Sequence, residues 1–307
     1  MLRHLVVPFL IAPLIAQAQI AHANFDTFVF SNGTSMGGPN LLVAIKTTIP
    51  TAFVATRVEV FTGERTGTNT IALWSHDAAL NQPQAPLGSG SWQMGFTNSW
   101  QGALLTAPLP LAANQVVWVV WAPQNGSQAS IQAIGGAGAQ QQRGSFDGGL
   151  TWNGPFQSNQ WKFRIWSGPA GHYEVFGAGC AGTAGTPRLA WFGLPMAGTS
   201  FNVHLDRAVG STVAGLIIGD SNTLYSGLPL PLSLASLGAP ACSLLSSVTA
   251  TFASGVDVTG EANLTLTIPA NPTLAGFLFY NQWFCLDLAA NPFGFTFSNG
   301  GAAVVGA

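Results

Sequence analysis

The sequence predicts an all-β protein made of two β-sandwiches, jelly-roll-like in type, behind a cleaved leader. Three observations predict it. Short segments in which apolar and polar residues alternate at every second position recur along the chain, with turn-forming residues between them. No apolar period of 3.6 residues persists beyond two helical turns. The composition points the same way: among 307 residues there are 37 Gly and 19 Pro, and only 7% are charged although 48% are hydrophobic. Thr, Ser, Asn and Gln supply the polarity, which is the profile of short strands, many turns and a largely neutral surface. The length suffices for two ordinary domains.

The chain opens with Arg3 and His4, an apolar run over 5–16, and then small residues with two Ala-x-Ala sites, Ala16-Gln17-Ala18 and Ala21-His22-Ala23. This is the pattern of a secretory signal peptide. The cut is expected after Ala23, because strand-like sequence begins at Phe25. Residues 1–23 are then the leader and the mature protein is secreted or held at the cell surface. No later run approaches the roughly 20 apolar residues of a spanning helix, so no transmembrane segment is expected in the mature chain. A net charge of −2 provides no basic field for nucleic acid.

Residues 24–169 form the first expected sandwich. In Ala52–Phe61, Val54, Thr56, Val58 and Val60 alternate with Ala55, Arg57, Glu59 and Phe61, as in a half-buried strand. Strands are expected next at Asn69–Ser75, Ser91–Phe96 and Gln115–Ala122. The last is apolar on both faces and is placed in the middle of a sheet with cover on each side. Gln160–Trp166 closes the unit, with Trp161, Phe163 and Ile165 on one side and Lys162, Arg164 and Trp166 on the other. Ser167–Gly171 has linker composition. In the second sandwich, 173–307, Phe201, Val203 and Leu205 alternate with Asn202, His204 and Asp206. Ala262, Leu264, Leu266 and Ile268 alternate with Asn263, Thr265 and Thr267, and Val213–Ile218 and Ala275–Cys285 are further strands.

Ser145-Phe146-Asp147-Gly148-Gly149-Leu150-Thr151-Trp152 fits Ser-x-Asp-x-Gly-x-Thr-Trp, which resembles the Asp-box hairpin of sialidases and other β-propeller proteins. The resemblance implies a structural hairpin in which Ser145, Asp147 and Thr151 tie the backbone, Gly149 supplies a positive φ and Trp152 packs beneath. A propeller needs several copies at about 50-residue spacing, and this chain has one. The segments Ile71-Ala72-Leu73-Trp74, Trp100-Gln101-Gly102-Ala103-Leu104 and Ala113-Asn114-Gln115-Val116-Val117-Trp118 resemble jelly-roll modules of secreted bacterial proteins, some relatives of which are thought to bind carbohydrate. Ala113-Asn114 replaces the usual Ala-Gly turn.

Secretion makes Cys180, Cys242 and Cys285 candidates for disulfide chemistry, with at most one intramolecular pair and one thiol left over. Phe176-Gly177-Ala178-Gly179-Cys180, Leu237-Gly238-Ala239-Pro240-Ala241-Cys242, Asn281-Gln282 and Ser298-Asn299-Gly300 together resemble a C-terminal module of exported proteins from planctomycete-type bacteria. That resemblance implies a Cys180–Cys242 bridge and leaves Cys285 as a buried, inert thiol.

Catalytic constellations are sparse. There is no Gly-x-Ser-x-Gly elbow, and the close His/Asp pairs are His76-Asp77 and His204-x-Asp206, read as surface polar residues. The carboxylates available to a glycosidase in the first unit are Asp26, Glu59, Glu64, Asp77 and Asp147, the last occupied by its turn. No metal site is expected. Calcium is considered as a ligand of loop oxygens, but no Asp-rich loop supports it, so no cofactor is expected. Eight of the ten Trp fall in 74–166, and Trp92, Trp100 and Trp166 have polar neighbours suited to stacking a sugar. Arg143, Lys162 and Arg164 form a basic cluster that reads first as a solvated face, with recognition of an acidic polysaccharide as the alternative. The expectation is an exported, non-enzymatic binding or adhesion protein whose partner is a glycan or a cell-surface component. The alternatives are a structural envelope or matrix component and a secreted hydrolase.

Overall fold

The structure, a computed structural model, describes residues 18–24, 33–36, 40–62, 68–93, 99–122, 129–132, 141–156 and 162–307. Phe25, Asp26, Glu64, Phe96, Asn98 and Trp161 lie outside the described residues. The first unit contains β1 (Gln19–Ala23), β2 (Gly33–Met36), β3 (Leu42–Thr48), β4 (Phe53–Thr62), β5 (Thr68–Asp77), β6 (Gln82–Gln93), β7 (Ser99–Leu111), β8 (Val116–Ala122), β9 (Ala129–Gln132), β10 (Gln142–Ser145), β11 (Asn153–Phe156) and β12 (Phe163–Ser167). These strands form two antiparallel sheets. One runs β1-β12-β4-β9-β2 with β7 also paired to β4, and the other runs β11-β10-β3-β8-β5-β6. Most connections cross between the sheets, and among the described strands of this unit the sequence-adjacent strands that pair with each other are β5–β6 and β10–β11.

Strand alternation builds the core. Val58 and Val60 of β4, Ile71 and Leu73 of β5, Val117, Val119 and Trp121 of β8, and Phe163 and Ile165 of β12 meet between the sheets. β8 lies between β3 and β5. Its opposite face carries Trp118 and Val120, which pack with Ala44, Trp74 and Trp152 in a second apolar cluster outside that sheet. β1 pairs with β12 along the sheet edge, Gln19 opposite Ser167 and Ile20 opposite Trp166.

The second unit contains β13 (His172–Phe176), β14 (Arg188–Phe192), β15 (Ser200–Asp206), β16 (Val213–Gly219), β17 (Leu224–Tyr225), β18 (Leu228–Pro229), β19 (Leu232–Leu234), β20 (Ala239–Leu244), β21 (Ala250–Gly255), β22 (Ala262–Thr267), β23 (Leu278–Leu286) and β24 (Phe295–Val304). A five-stranded sheet, β13-β24-β23-β16-β21, packs on a three-stranded one, β14-β15-β22, through Leu189, Phe201, Val203, Leu216, Trp283 and Ala303. A second cluster, with Ile217, Leu244 and Phe297, surrounds the Cys180–Cys242 disulfide, which ties the segment after β13 to β20. Cys285 is a free thiol inside the core, and burial together with the charge of Asp287 pushes it up to about 12. The only helical turns among the described residues are 3₁₀ turns at Ala235–Leu237 and Pro272–Leu274. No helix among the described residues is long and apolar enough to cross a membrane.

The two sandwiches meet at the connection 168–171. Thr56 Oγ1 donates to the Gly168 carbonyl at 2.7 Å, the Gly171 amide reaches Met196 Sδ at 3.0 Å, and the Ala307 amide donates to the Pro169 carbonyl at 3.0 Å. The Ala18 amide donates in turn to the Ala307 carbonyl at 2.9 Å.

Candidate functional site

The period of two along β4 sends Val58 and Val60 inward and Arg57, Glu59 and Phe61 to the outer face of their sheet. Register places Trp100 opposite Phe61, Gly102 and Arg164 opposite Glu59, and Trp166 opposite Arg57. The outer face therefore gathers Arg57, Glu59, Trp100, Arg164 and Trp166. Glu59 lies at its centre and is completely buried. One carboxylate oxygen accepts from Arg57 Nε at 2.9 Å. The other accepts from Trp166 Nε1 at 2.8 Å and from Arg164 Nε. Arg57 is buried as well, and its Nη2 donates to the Gly102 carbonyl at 3.1 Å. Position 102 has to be glycine, because a Cβ there would stand 2.0 Å from the Val58 carbonyl oxygen and 2.6 Å from Glu59 Cα.

Arg164 lies between two indoles. Its guanidinium carbon is 4.4 Å from the Trp100 ring centroid and 5.0 Å from that of Trp166, within cation–π range. Trp100 in turn meets Phe61 edge to face at 5.6 Å. The two indoles are half-buried, and with Arg164 they roof the ion pair. Buried charges are costly unless paired and hydrogen-bonded, and here each is. Burial alone would push the Glu59 carboxyl up. The charges of Arg164 and Arg57, and the hydrogen bonds from Arg164 and Trp166, outweigh it and bring the carboxyl down to about 2. Lys162, next to this face, is buried with its Nζ 5.8 Å from the Phe61 ring centre, and burial lowers its pKa. No described residue accepts a hydrogen bond from the terminal nitrogens of Arg164.

Two of the expected binding residues belong elsewhere. Trp92 is not an exposed stacking platform: it points into the core at 4% exposure, and its indole N–H donates to Gln101 Oε1 at 3.2 Å. The polar neighbour Gln93 misleads because adjacent strand residues face opposite ways. Arg143 does not join Lys162 and Arg164. It sits on β10 in the other sheet, buried, donating to the carbonyls of Asn81 at 3.0 Å, Leu80 at 3.2 Å and Gly154. It clamps the base of a hairpin, where its charge is spent on backbone oxygens. The sequence reading missed Arg57 and Glu59 as a buried pair. Their spacing of two in an otherwise apolar strand is the signal that puts them on one face.

At 145–152 the turn is tied by its own side chains. Ser145 Oγ donates to Asp147 Oδ1 at 2.7 Å and accepts from the Gly149 amide at 2.8 Å. Asp147 accepts from the Thr151 amide at 3.0 Å and from Thr151 Oγ1 at 2.5 Å, and these bonds, those from Thr151 first, hold its carboxyl down at about 2. Trp152 meets Trp74 edge to face at 5.7 Å.

The one remaining acid among the described residues of this unit is also committed to structure. Asp77 Oδ1 accepts from the amides of Ala79 and Leu80, while His76 Nδ1 accepts from Trp118 Nε1 at 3.1 Å. In the second unit Asp206 holds Arg188 at 2.5 Å, and His204 is buried rather than on a polar surface. Among the described residues no three His, Cys, Asp or Glu side chains gather in a way that could hold a metal ion. No protein-family model matches the chain, and no curated protein matches it.

Proposed function

We propose that this is an exported, non-enzymatic binding protein whose first sandwich takes a carbohydrate, an acidic glycan in preference to a neutral one, at the outer face around Trp100, Arg164 and Trp166. The observation that carries this reading is two half-buried indoles bracketing a guanidinium on the solvent side of the sheet. Indole faces and edges stack the C–H faces of sugars, and a guanidinium fork recognises carboxylate and sulfate oxygens. Glu59 holds Nε of Arg164 and so aims the fork. Arg57 and Arg164 both bind the one Glu59 carboxylate, so among these three described side chains the cations outnumber the acid. The test is a glycan array followed by calorimetry on the full exported chain, with uronic-acid and neutral polysaccharides compared. Trp100→Ala and Trp166→Ala should each weaken binding roughly tenfold or more. Absence of binding across the array, or binding that neither substitution alters, would remove the reading.

A second observation supports the alternative of a structural envelope or matrix component. Phe146 and Leu150, at the tip of the 145–152 turn, are 70% and 84% exposed, and Phe156, opposite Gln142 in the same hairpin, is exposed as well. Exposed apolar groups clustered on one hairpin suit contact with a neighbour, and a surface of low charge suits dense packing. Sedimentation of Phe146→Ser/Leu150→Ser against the unaltered chain tests it: an association that survives both changes does not use this hairpin.

A further inference from the structure

We infer that the leader is removed after Ala18, so that the exported protein begins at Gln19 and keeps β1. The inference rests on the export half of the proposed function. Two Ala-x-Ala sites satisfy the small-residue requirement of signal peptidase. Strand-like sequence from Phe25 points to the second site, whereas the fold points to the first. Residues 19–23 are strand β1, hydrogen-bonded along β12 with Gln19 opposite Ser167, Ile20 opposite Trp166, His22 opposite Ile165 and Ala23 opposite Arg164. His22 Nε2 lies 2.7 Å from Thr47 Oγ1, and its ring meets Phe163 edge to face at 5.6 Å, over a side chain of the core.

A cut after Ala23 would strip all of this away. β12 would become an open edge, the kind of unpaired strand that proteins otherwise shield, and Phe163 would lose the imidazole that covers it. The flank of Trp166 and Arg164 would open too, because Ile20 and Ala23 are their cross-strand neighbours. A cut after Ala18 removes from the described strand only the bond between the Ala18 amide and the Ala307 carbonyl. A segment destined for removal has no need of side chains that complete a core, and 19–23 supplies them.

Intact-mass analysis of the full chain, expressed from Met1 in a bacterium and collected after export, decides the matter. A protein beginning at Gln19, or that mass less one ammonia from cyclisation of the new N-terminal glutamine, is the expected result. Ala18→Leu should abolish that species, whereas Ala23→Leu should leave the start at Gln19. A protein beginning at Asn24 or at any other residue would overturn the assignment while leaving export intact. A chain that keeps Met1 and stays in the cytoplasm overturns the export reading and the cut with it. A direct comparison adds a physical check: leaderless chains begun at Gln19 and at Asn24 should melt at different temperatures, the shorter one lower. Equal melting would remove the argument from β1.

Discussion

Glu59 shows how much one side chain can hold in place. It serves Arg57, Arg164 and Trp166 at once from a fully buried position. Glu59→Ala would leave the buried Arg57 without its counter-ion, and breaking one partner out of a buried pair costs about 3–5 kcal/mol. Denaturant titration of the two proteins measures that loss. The same residue shapes the acid limb of stability. Its carboxyl is depressed from an ordinary 4.5 to about 2 in the folded state, so the unfolded chain takes up the proton first. The contribution is therefore complete above pH 4.5 and lost progressively as pH falls toward 2. Stability followed over that window should decline less steeply in Glu59→Gln than in the unaltered protein. An unchanged slope would mean that Glu59 is not the group titrating. From sequence, Arg57 and Glu59 read as the mixed side of a half-buried strand. Nothing in the linear order shows that Trp100 and Trp166, from two other strands, close over them.

At the scale of the element, the 145–152 turn was legible because the side chains that tie it, Ser145, Asp147 and Thr151, lie within eight residues of sequence. Its glycines offer a clean comparison. Gly149 has φ +96°, and a Cβ there would stand 2.9 Å from Trp74 Cη2, whereas Gly148 has φ +74° with nothing within 4 Å. Gly148→Ala should cost about 1–2 kcal/mol, the ordinary penalty for left-handed backbone. Gly149→Ala should cost more, since the Trp74–Trp152 pair must also shift. Equal losses in thermal melts would show that Trp74 yields freely. Arg143 illustrates the opposite case. Two of its carbonyl partners, on Leu80 and Asn81, are more than sixty residues away in sequence, so its closeness in the chain to Lys162 and Arg164 misplaces it. Strand lengths also hid in the sequence. β6 carries Pro83 and Pro86, and β7 carries Pro108 and Pro110, residues that look like breaks. Both strands pair on one side only within their sheets, where a missing N–H can face away from the ladder.

For the molecule as a whole, periodicity and composition were enough for the all-β class, because alternating burial on paired strands is a local property repeated many times. Which strands neighbour one another is not local, and the grouping of Trp100, Arg164 and Trp166 around Glu59 depends on that. The disulfide acts at this larger scale. Cys180 and Cys242 are 62 residues apart, and closing a loop of that length restricts the unfolded chain by about 4 kcal/mol in the entropy model. The double variant Cys180→Ser/Cys242→Ser should lower the stability of the second sandwich by roughly that amount, and calorimetry should show the first sandwich melting unchanged. The pairing of β1 with β12 bears on time rather than stability. Asn24 at the end of β1 bonds Phe163 across 139 residues of sequence, and contacts between such distant partners form slowly. During synthesis the first strand of the sandwich must wait for its last, so the chain stays open until nearly the whole unit has been made.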